Sequence, residues 1–128
     1  MFVQRRYPDR VSARGLIRVA RVYDDVDTDD GRRVLIDRLW PRGVRKDDPR
    51  VGTWCKDVAP SKELREWYQH KPERFEEFAS RYEAELCDSP ALEELRMLTK
   101  RGVVTLVTAT REVDGSHAAV LAKLLKSR

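Results

Sequence analysis

The stretch that decides the fold is residues 34–46, which read VLIDRLWPRGVRK. An apolar run typical of a buried strand ends there in a turn that is charged, aromatic and rich in proline and glycine. This short turn contains four residues whose charged or aromatic side chains can contact a ligand: Asp37, Arg38, Trp40 and Arg42. Because a sheet holds such a loop rigidly, α/β domains build ligand sites this way. The stretch therefore predicts a ligand-binding loop with a preference for anions.

Working outward, the hydrophobic pattern predicts strands and helices in alternation. Strands are expected at residues 16–23, 33–37, 54–58 and 103–108 because these runs are short, apolar and rich in β-branched residues. Helices are expected from Ser61, over 72–86, from Ser89 to Gly102 and over 116–126, where apolar residues recur every three or four positions. This order predicts an α/β fold with a small, mainly parallel sheet of three to four strands, flanked by about four helices.

Length and charge set the domain boundaries. A chain of 128 residues with 41% hydrophobic content suits one globular core, and we expect a single α/β domain over residues 16–128. Residues 1–15 show no periodicity and read as an irregular basic extension. Four arginines and one aspartate give this extension a charge of +3, which leaves only +1 of the total +4 for the rest. Bulk charge therefore gives no reason to expect a nucleic-acid-binding surface on the folded part.

Several classes of protein are disfavoured by what the sequence lacks. No stretch approaches the roughly 20 apolar residues of a membrane span, and no apolar segment follows Arg5-Arg6 to make a secretory signal. Cys55 and Cys87 are too few for a disulfide framework. The prediction is a cytoplasmic protein with reduced thiols and no membrane partner.

Two sequence motifs carry a resemblance to a known family. They are VLIDRLWPRG at residues 34–43 and KDVAPS at residues 56–61, followed at matching spacing by His70 and His117. With them, residues 17–125 resemble the bacterial family called domain of unknown function 488, in its short YeaO-like branch. The resemblance implies an α/β fold and a small cytoplasmic protein, and it supplies no activity. Gln69 stands where the family often has glycine, and the chain lacks the cysteines that a longer branch carries near the last strand.

A basic set surrounds the decisive stretch. Arg38, Arg42, Lys56 and Arg65 could bind phosphate or carboxylate, with the free amides of a helix beginning at Ser61 and with Trp40 as a wall. The alternative is that Arg38 and Arg42 pair with Asp37 and Asp57 and only hold the loop. Both interpretations stay open at this stage.

Three residues are candidates for general acid–base catalysis. Asp37 and Asp57 follow predicted strands and His117 begins the last helix, so each is a candidate catalytic residue at the carboxyl edge of the sheet. The alternative for the aspartates is a structural role as partners of arginine. Two lone histidines and two scattered cysteines have no ligand spacing, so the sequence predicts no metal site, and no cofactor motif is present.

Three functional hypotheses follow. The first is binding, with or without turnover, of an anionic small molecule such as a phosphorylated or carboxylated metabolite. The second is a nucleic-acid accessory protein that binds phosphates with its basic N-terminal extension and with the loop from Arg42 to Arg50. The third is a non-catalytic interaction or dimer module.

Overall fold

The computed structural model describes residues 16–126, and the basic extension predicted at residues 1–15 lies outside them. The strands are β1 (Ile17–Arg21), β2 (Arg32–Leu35), β3 (Thr53–Trp54) and β4 (Val104–Thr108). The α-helices are α1 (Lys62–Tyr68), α2 (Phe75–Leu86), α3 (Pro90–Thr99) and α4 (His117–Lys126). Within the described range the strands form one sheet in the order β1-β4-β2-β3. All pairings are parallel, so the predicted α/β fold is confirmed.

The central strand, β4, is buried along its whole length. Its side chains alternate between two apolar clusters because successive residues of a strand point to opposite faces. Leu106 packs with Val34, Ile36 and residues of all four helices, around the fully buried Tyr82. The opposite face is covered differently: Val107 packs with Val22, Leu35, Val44 and Val51. The loop after β2, rather than a helix, therefore closes the second face of the sheet.

Local capping explains where the helices begin. Ser61 precedes α1 and accepts a hydrogen bond from the Leu64 amide at 3.1 Å. Ser89 does the same for α3 through the Leu92 amide at 3.2 Å, with Pro90 in the first turn. Both caps were predicted from the sequence, because Ser and Pro suit these positions.

The third strand is shorter than predicted. It ends at Trp54, and Lys56–Val58 form a 3-10 turn instead of continuing the strand to residue 58. The turn is closed by hydrogen bonds from the Val58 amide to the Cys55 carbonyl and from the Ala59 amide to the Lys56 carbonyl. Lys56 and Asp57, which were predicted to lie at the carboxyl edge of the sheet, therefore belong to this turn.

No helix within residues 16–126 is long and apolar enough to span a membrane.

Candidate functional site

The carboxyl ends of β2 and β4 open onto a cavity of about 490 Å³. The register pairs Val34 with Leu106 and Leu35 with Val107, so the two strands end side by side. Residues 37–42 and 108–110 therefore form one part of the cavity wall. The other described lining residues are Tyr23, Ala59, Pro60, Arg65, Tyr68, His70, Phe78 and His117. This is the edge at which ligands gather in open parallel sheets.

Asp37 joins three elements beneath this cavity. Its Oδ1 accepts a hydrogen bond from the Thr108 hydroxyl at 2.8 Å, and its Oδ2 accepts one from the Ala109 amide at 2.8 Å. His117, the first residue of α4, places Nε2 at 3.1 Å from Asp37 Oδ1. Burial raises the pKa of the Asp37 carboxyl, but the hydrogen bond and charge of His117, with the Ala109 and Thr108 hydrogen bonds, outweigh it and lower the pKa overall. Asp37 is therefore held as a carboxylate.

The position of His117 assigns its tautomer. Nε2 faces two acceptors at once, Asp37 Oδ1 and the Ile36 carbonyl at 3.2 Å. Since both are acceptors, Nε2 must carry the hydrogen. Nδ1 has no hydrogen-bond partner among residues 16–126, and the ring lines the cavity. Asp37 thus meets His117, whereas the sequence interpretation had considered a pair of Asp37 with Asp57.

Three guanidinium groups line the cavity, those of Arg38, Arg42 and Arg65. Arg38 lies 3.5 Å from Asp57, whose side chain is 76% exposed, so this pair is weak. Arg65 Nε donates to the Pro60 carbonyl at 3.3 Å. Within the described residues, no carboxylate oxygen lies within 4.0 Å of the guanidinium of Arg42 or Arg65. Among the described lining residues, three arginines stand against one carboxylate, that of Asp37, so this part of the wall carries a net positive charge.

The loop that carries Arg42 is fixed by aromatic side chains. The Trp40 indole donates to the Val44 carbonyl at 2.7 Å, and the Tyr23 hydroxyl donates to the Arg42 carbonyl at 3.0 Å. The Trp54 indole donates to the Asp37 carbonyl at 2.8 Å, and its ring meets Trp40 edge-on at 5.3 Å. Trp40 lines the cavity, as predicted.

Lys56 and Asp57 do not reach this cavity. They line a second, smaller cavity of about 250 Å³ beside β3 and α3, together with Cys55. The Lys56 ammonium lies 5.2 Å from the centre of the Trp54 ring. Burial is the main effect that raises the pKa of the Cys55 thiol, so this group stays protonated. The 3-10 turn at Lys56–Val58 accounts for the separation of the two cavities.

Ser61 is also absent from the lining of the main cavity. Its amide donates to Glu85 Oε1 at 2.9 Å and its hydroxyl donates to Glu85 Oε2 at 2.6 Å. A carboxylate of the chain itself therefore occupies the beginning of α1, where the sequence predicted an external anion.

Several lining residues were missed by the sequence interpretation, among them Tyr23, His70 and Tyr68. Tyr23 follows β1, and its position after a parallel strand was a usable indication. His70 follows Gln69, the residue that ends α1, and the two residues have positive φ values of 55° and 50°, respectively. No group of three or more His, Cys, Asp or Glu side chains in residues 16–126 is arranged to hold a metal ion.

Comparison with known proteins identifies relatives over most of the chain. Uncharacterized proteins of Mycobacterium tuberculosis and Mycobacterium bovis are each 74% identical over 112 residues, which cover 88% of this chain and 95% of theirs. The uncharacterized protein YeaO of Escherichia coli is 37% identical over 112 residues, covering 87% of this chain and 97% of its own. No solved structure matches the chain significantly. The family described as the inactive DUF488-N3 subclade matches residues 16–128, and the chain belongs to this family.

Proposed function

We propose that this protein binds a small phosphorylated or carboxylated molecule in the cavity at the carboxyl ends of β2 and β4, and that it does so in the cytoplasm. The observation that carries the proposal is the charge of the wall. Arg38, Arg42 and Arg65 line the cavity, and no carboxylate within the described residues pairs with Arg42 or Arg65. Guanidinium groups left free at the rim of a concave site favour phosphate or carboxylate, which they bind through two parallel hydrogen bonds.

Binding is favoured over turnover by the state of Asp37. Each of its oxygens already accepts a hydrogen bond at 2.8 Å, so the carboxylate is occupied in holding Thr108 and Ala109. A general base must be able to reach a proton of the ligand. Neither cysteine nor serine occurs among the described residues that line the cavity. The description of the family as an inactive subclade agrees with a binding protein.

The test is calorimetric titration of the full chain with inorganic phosphate and with citrate at low ionic strength. We expect Arg42→Ala to weaken binding about tenfold or more, because a charge-assisted hydrogen bond contributes about 1.5–3 kcal/mol. Arg45→Ala is the matched control, since Arg45 lies on the same loop, is 86% exposed and does not line the cavity. Equal affinities for the Arg42 variant and the unaltered protein would refute the proposal, as would an equal loss in both variants.

The nucleic-acid hypothesis stays a prediction, because it needs the arginines of residues 1–15, outside the described part of the chain, together with the loop over residues 42–50.

A further inference from the structure

The aromatic side chains of the cavity have already used their polar atoms. The hydroxyl of Tyr23 donates to the Arg42 carbonyl at 3.0 Å, and the indole N–H of Trp40 donates to the Val44 carbonyl at 2.7 Å. The hydroxyl of Tyr68 donates to the Gly115 carbonyl at 2.5 Å. These residues therefore offer a ligand the surfaces of their rings and no hydrogen-bond donor.

Most of the other polar groups in the lining are engaged as well. Asp37 accepts from Thr108, Ala109 and His117. The Thr108 hydroxyl also accepts from the Thr110 amide at 3.3 Å. Among the side chains of the described lining residues, those of the arginines, the two histidines and Thr110 remain for a ligand. Most of these groups are cationic or basic, so they favour an anionic group on the ligand.

The volume and the apolar surface of the cavity favour a ligand larger than a simple anion such as phosphate. A volume of about 490 Å³ falls in the range of roughly 300–1,000 Å³ found for small-molecule sites. Leu39, which is 70% exposed, and Tyr23, which is 39% exposed, both contribute apolar surface to the lining. A flat apolar group bound beside the anion would cover this surface, and an aromatic ring would also interact with the nearby guanidinium groups.

We infer that the ligand is an aromatic acid, that is, a flat aromatic ring bearing a carboxylate or phosphate group. The anionic group lies among Arg38, Arg42 and Arg65, and the ring lies against Trp40, Tyr23 and Leu39. This inference rests on the proposed function and adds the chemical class of the molecule that carries the charge.

The test compares two probes of equal charge, phenyl phosphate and methyl phosphate, by calorimetric titration of the full chain. We expect phenyl phosphate to bind about tenfold more tightly, because only it covers the apolar wall. Equal affinities for the two probes, with both lost in Arg42→Ala, would overturn the inference and leave the proposed function standing. Failure of both probes, phosphate and citrate to bind would overturn both.

Variants of the wall make the test specific. Trp40→Leu should reduce the ratio of the phenyl phosphate affinity to the methyl phosphate affinity severalfold, and this ratio is the readout because the variant also loses the hydrogen bond to the Val44 carbonyl. Trp40 also packs against the apolar cluster around Val107, so its replacement could disturb the fold. A pair of variants at the more exposed Tyr23 therefore provides a second readout. Tyr23→Leu should lower the preference and Tyr23→Phe should retain it, since phenylalanine keeps the ring. A preference that survives both Trp40→Leu and Tyr23→Leu would contradict the inference.

Discussion

His117 Nε2 lies 3.1 Å from Asp37 Oδ1, across 80 residues of sequence, and this pair joins the end of β2 to the beginning of α4. The same carboxylate accepts hydrogen bonds from the Thr108 hydroxyl and the Ala109 amide beyond β4. Asp37 is thus the point at which two strands and a helix are held together beneath the cavity. These contacts of Asp37 should contribute to the stability of the fold.

Replacing Asp37 by asparagine should destabilise the protein by about 2 kcal/mol or more. The amide cannot accept from His117, Thr108 and Ala109 together, and a buried donor left unpaired costs about 1–3 kcal/mol. The free energy of unfolding from urea denaturation measures the effect. Asp57→Asn is the matched control: its side chain is 76% exposed, so we expect a change within about 0.5 kcal/mol. Equal effects of the two substitutions would contradict a structural role for Asp37.

The contribution of Asp37 should also depend on pH in a defined direction. Its pKa in the folded protein lies below the usual 3.8, so folding favours the ionised carboxyl. This stabilisation is therefore complete above the pKa of the unfolded chain, and it is lost as pH falls through the lower pKa of the folded state. In urea denaturation from pH 7 to pH 3, the stability difference between the unaltered protein and Asp37→Asn should shrink below about pH 4. A difference that grows below about pH 4 would contradict this assignment.

Gln69→Gly should stabilise the protein by about 0.5–1 kcal/mol. Gln69 ends α1 with φ 50° and ψ 32°, a left-handed conformation that glycine adopts without steric cost. The backbone hydrogen bond from residue 69 to the Arg65 carbonyl would be kept. Lys100→Gly is the opposite control, because Lys100 ends α3 with φ −74° and glycine there only increases the entropy of the unfolded chain. In thermal or urea unfolding, the stability of Gln69→Gly should rise and that of Lys100→Gly should fall, relative to the unaltered protein.

Ser61→Ala should lower stability and leave anion binding unchanged. Alanine loses the cap on the Leu64 amide and the hydrogen bond to Glu85, together costing about 1–2 kcal/mol. Ser89→Ala removes a cap of the same kind on the Leu92 amide, so its effect should be the smaller one. Phosphate titration of both variants completes the measurement. A weaker phosphate affinity in Ser61→Ala alone would return Ser61 to the binding site.

The sequence was informative wherever a local pattern determines geometry. Parallel strands that end in register must bring their following residues together, so the meeting of Asp37 with Thr108 and Ala109 could be predicted. The caps at Ser61 and Ser89 could also be predicted, because each serine bonds an amide only three residues further along the chain. Membership of the DUF488 family and the α/β fold followed from the motifs at residues 34–43 and 56–61 and from the alternation of elements.

The remaining features depend on distant pairings that no local pattern encodes. Glu85 reaches Ser61 from the far end of α2, 24 residues away. The 3-10 turn at Lys56–Val58 turns Lys56 and Asp57 toward the second cavity. β3 ends four residues earlier than predicted, and Lys56, one of the four predicted basic residues, is therefore separated from Arg42.

Because Asp37 supports the architecture, its position beside a histidine is not evidence of catalysis. Each of its carboxylate oxygens already accepts a hydrogen bond from the end of β4, so an acid–base pair at the edge of this sheet can serve a mechanical role alone. Differences in ligand use between proteins built on this scaffold should therefore be sought among the arginines and aromatic rings of the rim.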